Sequence, residues 1–164
     1  MKNNLKKIAV TIPCHNEAVA ISGVVSAFAN AIPEADIFVY DNVSTDGTAE
    51  IAKKSGAIVC TEPNKGKGNV VRRMFADIDA DIYVIVDGDG TYDASKCSEM
   101  IRRLVDNNLD MVTATRKAIN SKDAYRPGHI FGNWVLTRAV SYLFGHGFTD
   151  MLSGYRVMSR RFVK

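Results

Sequence analysis

Asp87 and Asp89 stand one residue apart in Val84-Ile85-Val86-Asp87-Gly88-Asp89-Gly90-Thr91, directly after an apolar run of strand length. A strand that apolar is buried, so its end delivers both carboxylates to the rim of a sheet, where ligands sit in open α/β folds. Two carboxylates so close repel each other. A hard divalent cation, Mg2+ or Mn2+, held by them and by substrate phosphates relieves that repulsion. Asp and Gly also form surface turns, but the apolar lead-in favours metal–phosphate chemistry at Asp89 and Asp87.

Two other apolar runs end in the same way. Ile8–Ile12 is followed by Pro13-Cys14-His15-Asn16-Glu17, and Ile37–Tyr40 by Asp41-Asn42-Val43-Ser44-Thr45-Asp46-Gly47-Thr48. In a parallel sheet such ends share one edge, so the three clusters can converge. A carboxylate such as Asp41 suits hydrogen bonds to a ribose or to a base N–H. Glu17 and Thr48 read as helix starts, whose backbone N–H groups are able to meet phosphate. Lys65 and Lys67, on the Gly-flanked loop Asn64-Lys65-Gly66-Lys67-Gly68, can reach anions or stay solvated. That loop has neither the Walker spacing nor the third glycine of a dinucleotide fingerprint. His15 has no partner at metal-ligand spacing and reads as a loop residue satisfied by backbone.

The elements that must position these residues alternate. Strands are expected at Ile8–Ile12, Ile37–Tyr40, Ala57–Cys60, Ile82–Val86 and Leu109–Ala114. Helices are expected at Glu17–Ala31, Thr48–Ser55, Asn69–Ile78, Ala94–Asn107 and Ile130–Phe144. This order predicts an α/β fold with a mostly parallel central sheet and helices on both faces. No internal repeat or low-complexity tract interrupts it.

The 164 residues, 46% hydrophobic and 24% charged, suit one domain with a real core. Charge is unevenly spread: residues 1–115 carry 12 Lys+Arg against 16 Asp+Glu, and residues 116–164 carry 9 against 2. The basic part fits a phosphorylated acceptor, an anionic lipid surface or ordinary solvation. Nucleic-acid binding is disfavoured, because Tyr125 and Tyr155 do not make the interleaved basic and aromatic stripe that such binding uses. Cys14, Cys60 and Cys97 lie far apart without a CxxC, which suits a reducing compartment and no zinc site. The apolar run behind Lys2, Lys6 and Lys7 is too short for a signal peptide. No segment approaches the roughly 20 apolar residues of a membrane span.

Taken in order, Thr11–Glu17, Val39–Thr48, Asn64–Gly68 and Asp87-Gly88-Asp89 resemble family 2 glycosyltransferases of the Rossmann-like GT-A fold. Thr149-Asp150 and Ser153-Gly154-Tyr155-Arg156 narrow the resemblance to dolichyl- or undecaprenyl-phosphate sugar transferases. The resemblance implies that Pro13, Asn16, Glu17, Asp41 and Lys67 line a nucleotide-sugar pocket. It places Asp87 on the ribose–diphosphate side and Asp89 on Mg2+ or Mn2+. Arg116 and Arg126 would hold an acceptor phosphate, with Asp150 and Arg156 on the acceptor side. Asn42 stands where many members carry a second Asp. Members usually continue past this end into amphipathic or membrane helices, so residues 1–164 are expected to be a single catalytic domain cut short at its C-terminal side. The implied setting is the cytoplasm, with peripheral contact to a membrane through the basic part.

The implied reaction moves a sugar from a nucleotide diphosphate sugar to an acceptor, the cation on Asp89 offsetting charge on the departing diphosphate. A polyprenyl phosphate acceptor is already a nucleophile and needs no strong base. A hydroxyl acceptor would need one, and Asp150 is then the candidate, although an Asp there also serves as a cap. Val84–Thr91 fits a rival pattern as well, that of haloacid-dehalogenase-like phosphatases, with Asp87 as nucleophile and Asp89 as general acid. Those enzymes usually begin with this strand, whereas two βα units precede it here. An inactive nucleotide-binding fragment is the remaining alternative.

Overall fold

The computed structural model of the chain describes residues 6–114 and 153–164. Six strands form one sheet: β1 (Ile8–Cys14), β2 (Asp36–Asp41), β3 (Ile58–Thr61), β4 (Ile82–Ile85), β5 (Met111–Thr113) and β6 (Arg156–Ser159), in the spatial order β3-β2-β1-β4-β6-β5. β1 pairs in parallel with β2 and β4, and β2 with β3. β6 runs antiparallel between β4 and β5.

The central strands are buried on both faces, which is why Ile8–Cys14 and Ile82–Ile85 read as continuous apolar runs. Their side chains still alternate. Val10, Ile12, Val84 and Val86 face the larger core beneath α1 (Ile21–Ala31), α2 (Thr48–Lys54) and α4 (Cys97–Asp106). Ala9, Tyr83 and Ile85 face the smaller core beneath α3 (Lys67–Asp77). Two polar side chains inside these layers, Thr11 and Tyr83, are satisfied by backbone. Thr11 Oγ1 donates to the Val84 carbonyl at 3.0 Å, and Tyr83 Oη accepts from Ala80 N–H and donates to the Ile78 carbonyl.

The expected mostly parallel α/β sheet, with helices on both faces, is the one observed. β6 was not expected as a strand. It is four residues long, begins with Arg156, and lies between Ser-Gly-Tyr and Arg-Arg, so its alternation is too brief to stand out. It matters for the site because it carries Ser153-Gly154-Tyr155 back to the centre of the sheet. α1 begins at Ile21 rather than Glu17, since Glu17–Ala20 form a turn. The helix expected at Ile130–Phe144 lies outside the described residues.

Candidate functional site

β1, β2 and β4 run in parallel, so their C-terminal ends do share an edge. There Pro13 and Cys14 of β1, His15 and Glu17 after it, Asn42 after β2, Lys67 and Val70 of α3, and Asp87, Gly88 and Asp89 after β4 line one cavity of about 260 Å3. The ends approach closely because position 88 has no side chain: a Cβ on Gly88 would lie 2.6 Å from Cys14 Sγ.

Asp87 is half-buried and ion-paired with Lys67. Asp89 is exposed, and its Oδ1 accepts from Thr91 N–H at 3.0 Å and Thr91 Oγ1 at 2.7 Å, an Asx turn that fixes the carboxylate at the cavity mouth. Glu17, Asp87 and Asp89 crowd negative charge on this wall. The Glu17 carboxyl is accordingly raised above the usual range, first by burial and then by Asp89, Asp46 and Asp87. The Cys14 thiol is pushed up to about 12, chiefly by burial and then by Glu17, Asp41 and Asp87. Cys14 therefore stands in the wall as a buried, neutral thiol.

No group of three or more His, Cys, Asp or Glu side chains among the described residues could hold a metal by itself. The donor set nevertheless fits a Mg2+- or Mn2+-class ion held by one or two carboxylates and completed by phosphate oxygens. All of its oxygens are hard donors, and their mutual repulsion is what a cation would relieve.

Asp41 and Asn16 sit behind this wall. Asp41 is buried; its Oδ2 accepts from Ser44 N–H at 3.1 Å, while Oδ1 has no hydrogen-bond partner. Asn16 adopts a left-handed backbone with φ 58°, and its side-chain oxygen accepts from Thr45 N–H at 2.9 Å. Asn16 thus ties the β1 loop to the β2 loop and does not line the cavity. His15 Nδ1 meets the Asn42 carbonyl at 2.7 Å, the backbone satisfaction expected of it. Arg116, Arg126 and Asp150 lie outside the described residues.

Some of the amides at the two expected helix starts are engaged within the protein. Glu17 N–H donates to Thr48 Oγ1, Ala18 N–H to Asp46 Oδ2, and Thr48 N–H to Asp46 Oδ1. These three amides are already satisfied inside the protein, because Asp46 and Thr48 lock the two loops together. Three sets of contacts escaped sequence reasoning. One is that of Asn42, whose amide donates to the Glu62 and Asn64 carbonyls at 2.8 and 2.9 Å and accepts from Gly66 N–H at 2.8 Å. It pins the loop that leads into Lys67. The others are the Lys67–Asp87 pair itself and the approach of Gly154 to Asp87. The Asn-Lys-Gly-Lys-Gly composition flagged the loop, but nothing in the sequence links positions 67 or 154 to 87.

Arg160 pairs with Asp79 and Arg161 with Asp110, while Lys164 Nζ donates to the Phe75 carbonyl. These members of the basic part are engaged within the fold.

The profile of the family described as "Glycosyl transferase family 2" matches residues 9–164. Protein RfbJ of Shigella flexneri is 57% identical over 122 residues, covering 74% of this chain and 95% of its own length. Glycosyltransferase AglJ of Haloferax volcanii is 36% identical over 154 residues, covering 93% of this chain and 50% of its own length. A dolichyl-phosphate hexose transferase of the same organism is 28% identical over 154 residues, covering 93% of this chain and 66% of its own. Among solved structures, glucosyl-3-phosphoglycerate synthase from Mycobacterium tuberculosis, in complex with Mn2+, uridine diphosphate and phosphoglyceric acid, superposes with a TM-score of 0.76 at 24% identity. That match covers 96% of this chain and 57% of the synthase chain, and shows a common fold. The chain thus spans about half the length of AglJ and of the synthase.

Proposed function

The chain belongs to glycosyl transferase family 2, with the GT-A fold, and from that premise we propose that it moves a sugar from a nucleotide diphosphate sugar to a polyprenyl phosphate. The observation that carries this reading is the convergence of three parallel strand ends on one cavity holding Glu17, Lys67, Asp87 and Asp89. The name of the dolichyl-phosphate hexose transferase relative supports the acceptor class.

Each residue then has a part. Asp41, buried behind the cavity wall, keeps the nucleotide-side role that the motifs imply. Pro13 walls the nucleotide, and Asn16 acts through the loop it ties. Asp87 takes the ribose–diphosphate side. Lys67 stands beside it as a fixed positive charge for the diphosphate. Asp89, with Asp87 behind it, would hold Mg2+ or Mn2+, which when bound supplies Lewis-acid stabilisation of the leaving diphosphate. Arg116 and Arg126 keep the acceptor-phosphate role that the motifs imply. In the reaction an acceptor phosphate oxygen bonds the anomeric carbon, and the bond from that carbon to the diphosphate oxygen breaks, its electron pair leaving with the diphosphate. No proton has to be removed, so Asp150 orients the acceptor.

The family match across the whole chain does not favour the phosphatase reading of Asp87. Among the described residues no helix is long and apolar enough to cross a membrane. Peripheral contact with the cytoplasmic face of a membrane follows from the proposed lipid acceptor.

The test is a thermal-shift panel of UDP, GDP and CDP and their sugar conjugates, each with and without Mn2+. One base should raise the melting temperature in a Mn2+-dependent way, and Asp89→Ala should remove that dependence. A Mn2+-dependent rise of equal size in Asp89→Ala would overturn the assignment of Asp89. Hydrolysis of p-nitrophenyl phosphate with no nucleotide response would return the phosphatase reading.

A further inference from the structure

Ser153-Gly154-Tyr155 leads into β6, more than sixty positions along the chain from Asp87, yet it meets Asp87 in the fold. A Cβ built on Gly154 would stand 2.7 Å from Asp87 Oδ1 and nearer still to Cγ and Oδ2. The backbone at Gly154 is not left-handed, so glycine is needed there for space and not for conformation. The segment is also held in place. Gly154 N–H donates to Tyr92 Oη at 2.7 Å. The Tyr155 ring, 1% exposed, packs edge-on against Phe28 and Tyr92 at centroid distances of 5.7 and 5.5 Å. Lys67 is ion-paired to the same carboxylate.

We infer that Gly154 is a positioning residue for Asp87: the side chain it lacks is the space that the carboxylate occupies. Any larger residue collides with the end of a rotatable side chain, so Asp87 swings away from Lys67 while the anchored backbone stays. Tyr92 acts at one remove, by fixing the Gly154 amide. The consequence for donor binding rests on the function proposed above. The contact between Gly154 and Asp87 does not.

The experiment is a double-mutant cycle of Gly154→Ala and Asp87→Ala, read in two ways. In the absence of nucleotide, Gly154→Ala should lower the melting temperature by several degrees when Asp87 is present and by less than one degree in the Asp87→Ala background. With Mn2+ and whichever of UDP, GDP or CDP binds the wild type, Gly154→Ala should raise Kd at least tenfold. It should add nothing to the loss caused by Asp87→Ala. Tyr92→Phe should give a smaller rise in Kd. If Gly154→Ala alone fails to fold, the double variant should fold. Equal thermal costs in both backgrounds, or failure of both variants to fold, would overturn the inference. A coupled thermal cycle in a protein that binds none of the three nucleotides would leave Gly154 as the positioning residue of Asp87 and reject the donor assignment instead.

Discussion

Glu17 concentrates the electrostatic character of the site in one residue. Its carboxyl is raised by burial and by Asp89, Asp46 and Asp87, so the folded state binds its proton more tightly than the unfolded chain does. Between the unfolded and folded pKa values the native state holds the extra proton. Stability therefore falls as pH rises through that interval, and the penalty is fully present above the folded pKa. Glu17→Gln should melt higher than the wild type at pH 7, and the difference should shrink as pH approaches 4. Melting curves across pH without divalent cation check this; a difference that grew on acidification would refute it. Adding Mn2+ should narrow the gap at pH 7, because a cation at Asp89 offsets one source of the repulsion. The clustering of carboxylates was readable from Asp87-Gly88-Asp89 and Glu17 in the sequence. The identity of Asp46 as a third neighbour was not, because it reaches Glu17 only through the lock between the two loops.

At the scale of elements, the site depends on how the loop before α3 is held. Asn42 is the clamp: it is buried, and its amide offers two donors to the Glu62 and Asn64 carbonyls and one acceptor to Gly66 N–H. An aspartate has the same size but would turn an oxygen toward both carbonyls. Asn42→Asp should therefore cost about 1–3 kcal/mol, from the lost bonds and two unsatisfied acceptors. Urea denaturation measures this, and faster hydrogen exchange at Gly66 should accompany it. A change below about 0.5 kcal/mol, the range of ordinary surface substitutions, would mean that the loop is held by other means. The position was legible as a departure from the family's usual Asp. Its purpose was not, because both carbonyls come from a loop some twenty residues away.

For the whole molecule, β6 links the parallel strands to the edge strand β5. Val157 is fully buried, opposite Val84 on one side and Val112 on the other, so it joins β5 to the rest of the sheet. Val157→Ala should lower global stability by about 2 kcal/mol through lost burial and the cavity left behind, measured by urea denaturation. The same strand carries Gly154 to the edge where Asp87 sits, so disturbing it should also weaken nucleotide binding. The C-terminal charges have a whole-molecule role as well. Arg160 and Arg161 pair with Asp79 and Asp110, so these basic residues hold the end of β6 to neighbouring loops.

The alternation of strands and helices, the parallel centre of the sheet, and the delivery of Asp41, Asp87 and Asp89 to one edge could all be read along the chain. Each follows from local information: apolar runs of strand length, turn and cap residues at their ends, and the rule that parallel strands end on the same side. Folding alone sets the antiparallel place of β6, the pairing of Lys67 with Asp87, the closed lock of Asp46 and Thr48 on the amides near Glu17, and the space that Gly154 leaves for a carboxylate. These are contacts between residues far apart in the chain. Their partners are set by how the elements pack, and no period or motif in a single stretch of sequence encodes that.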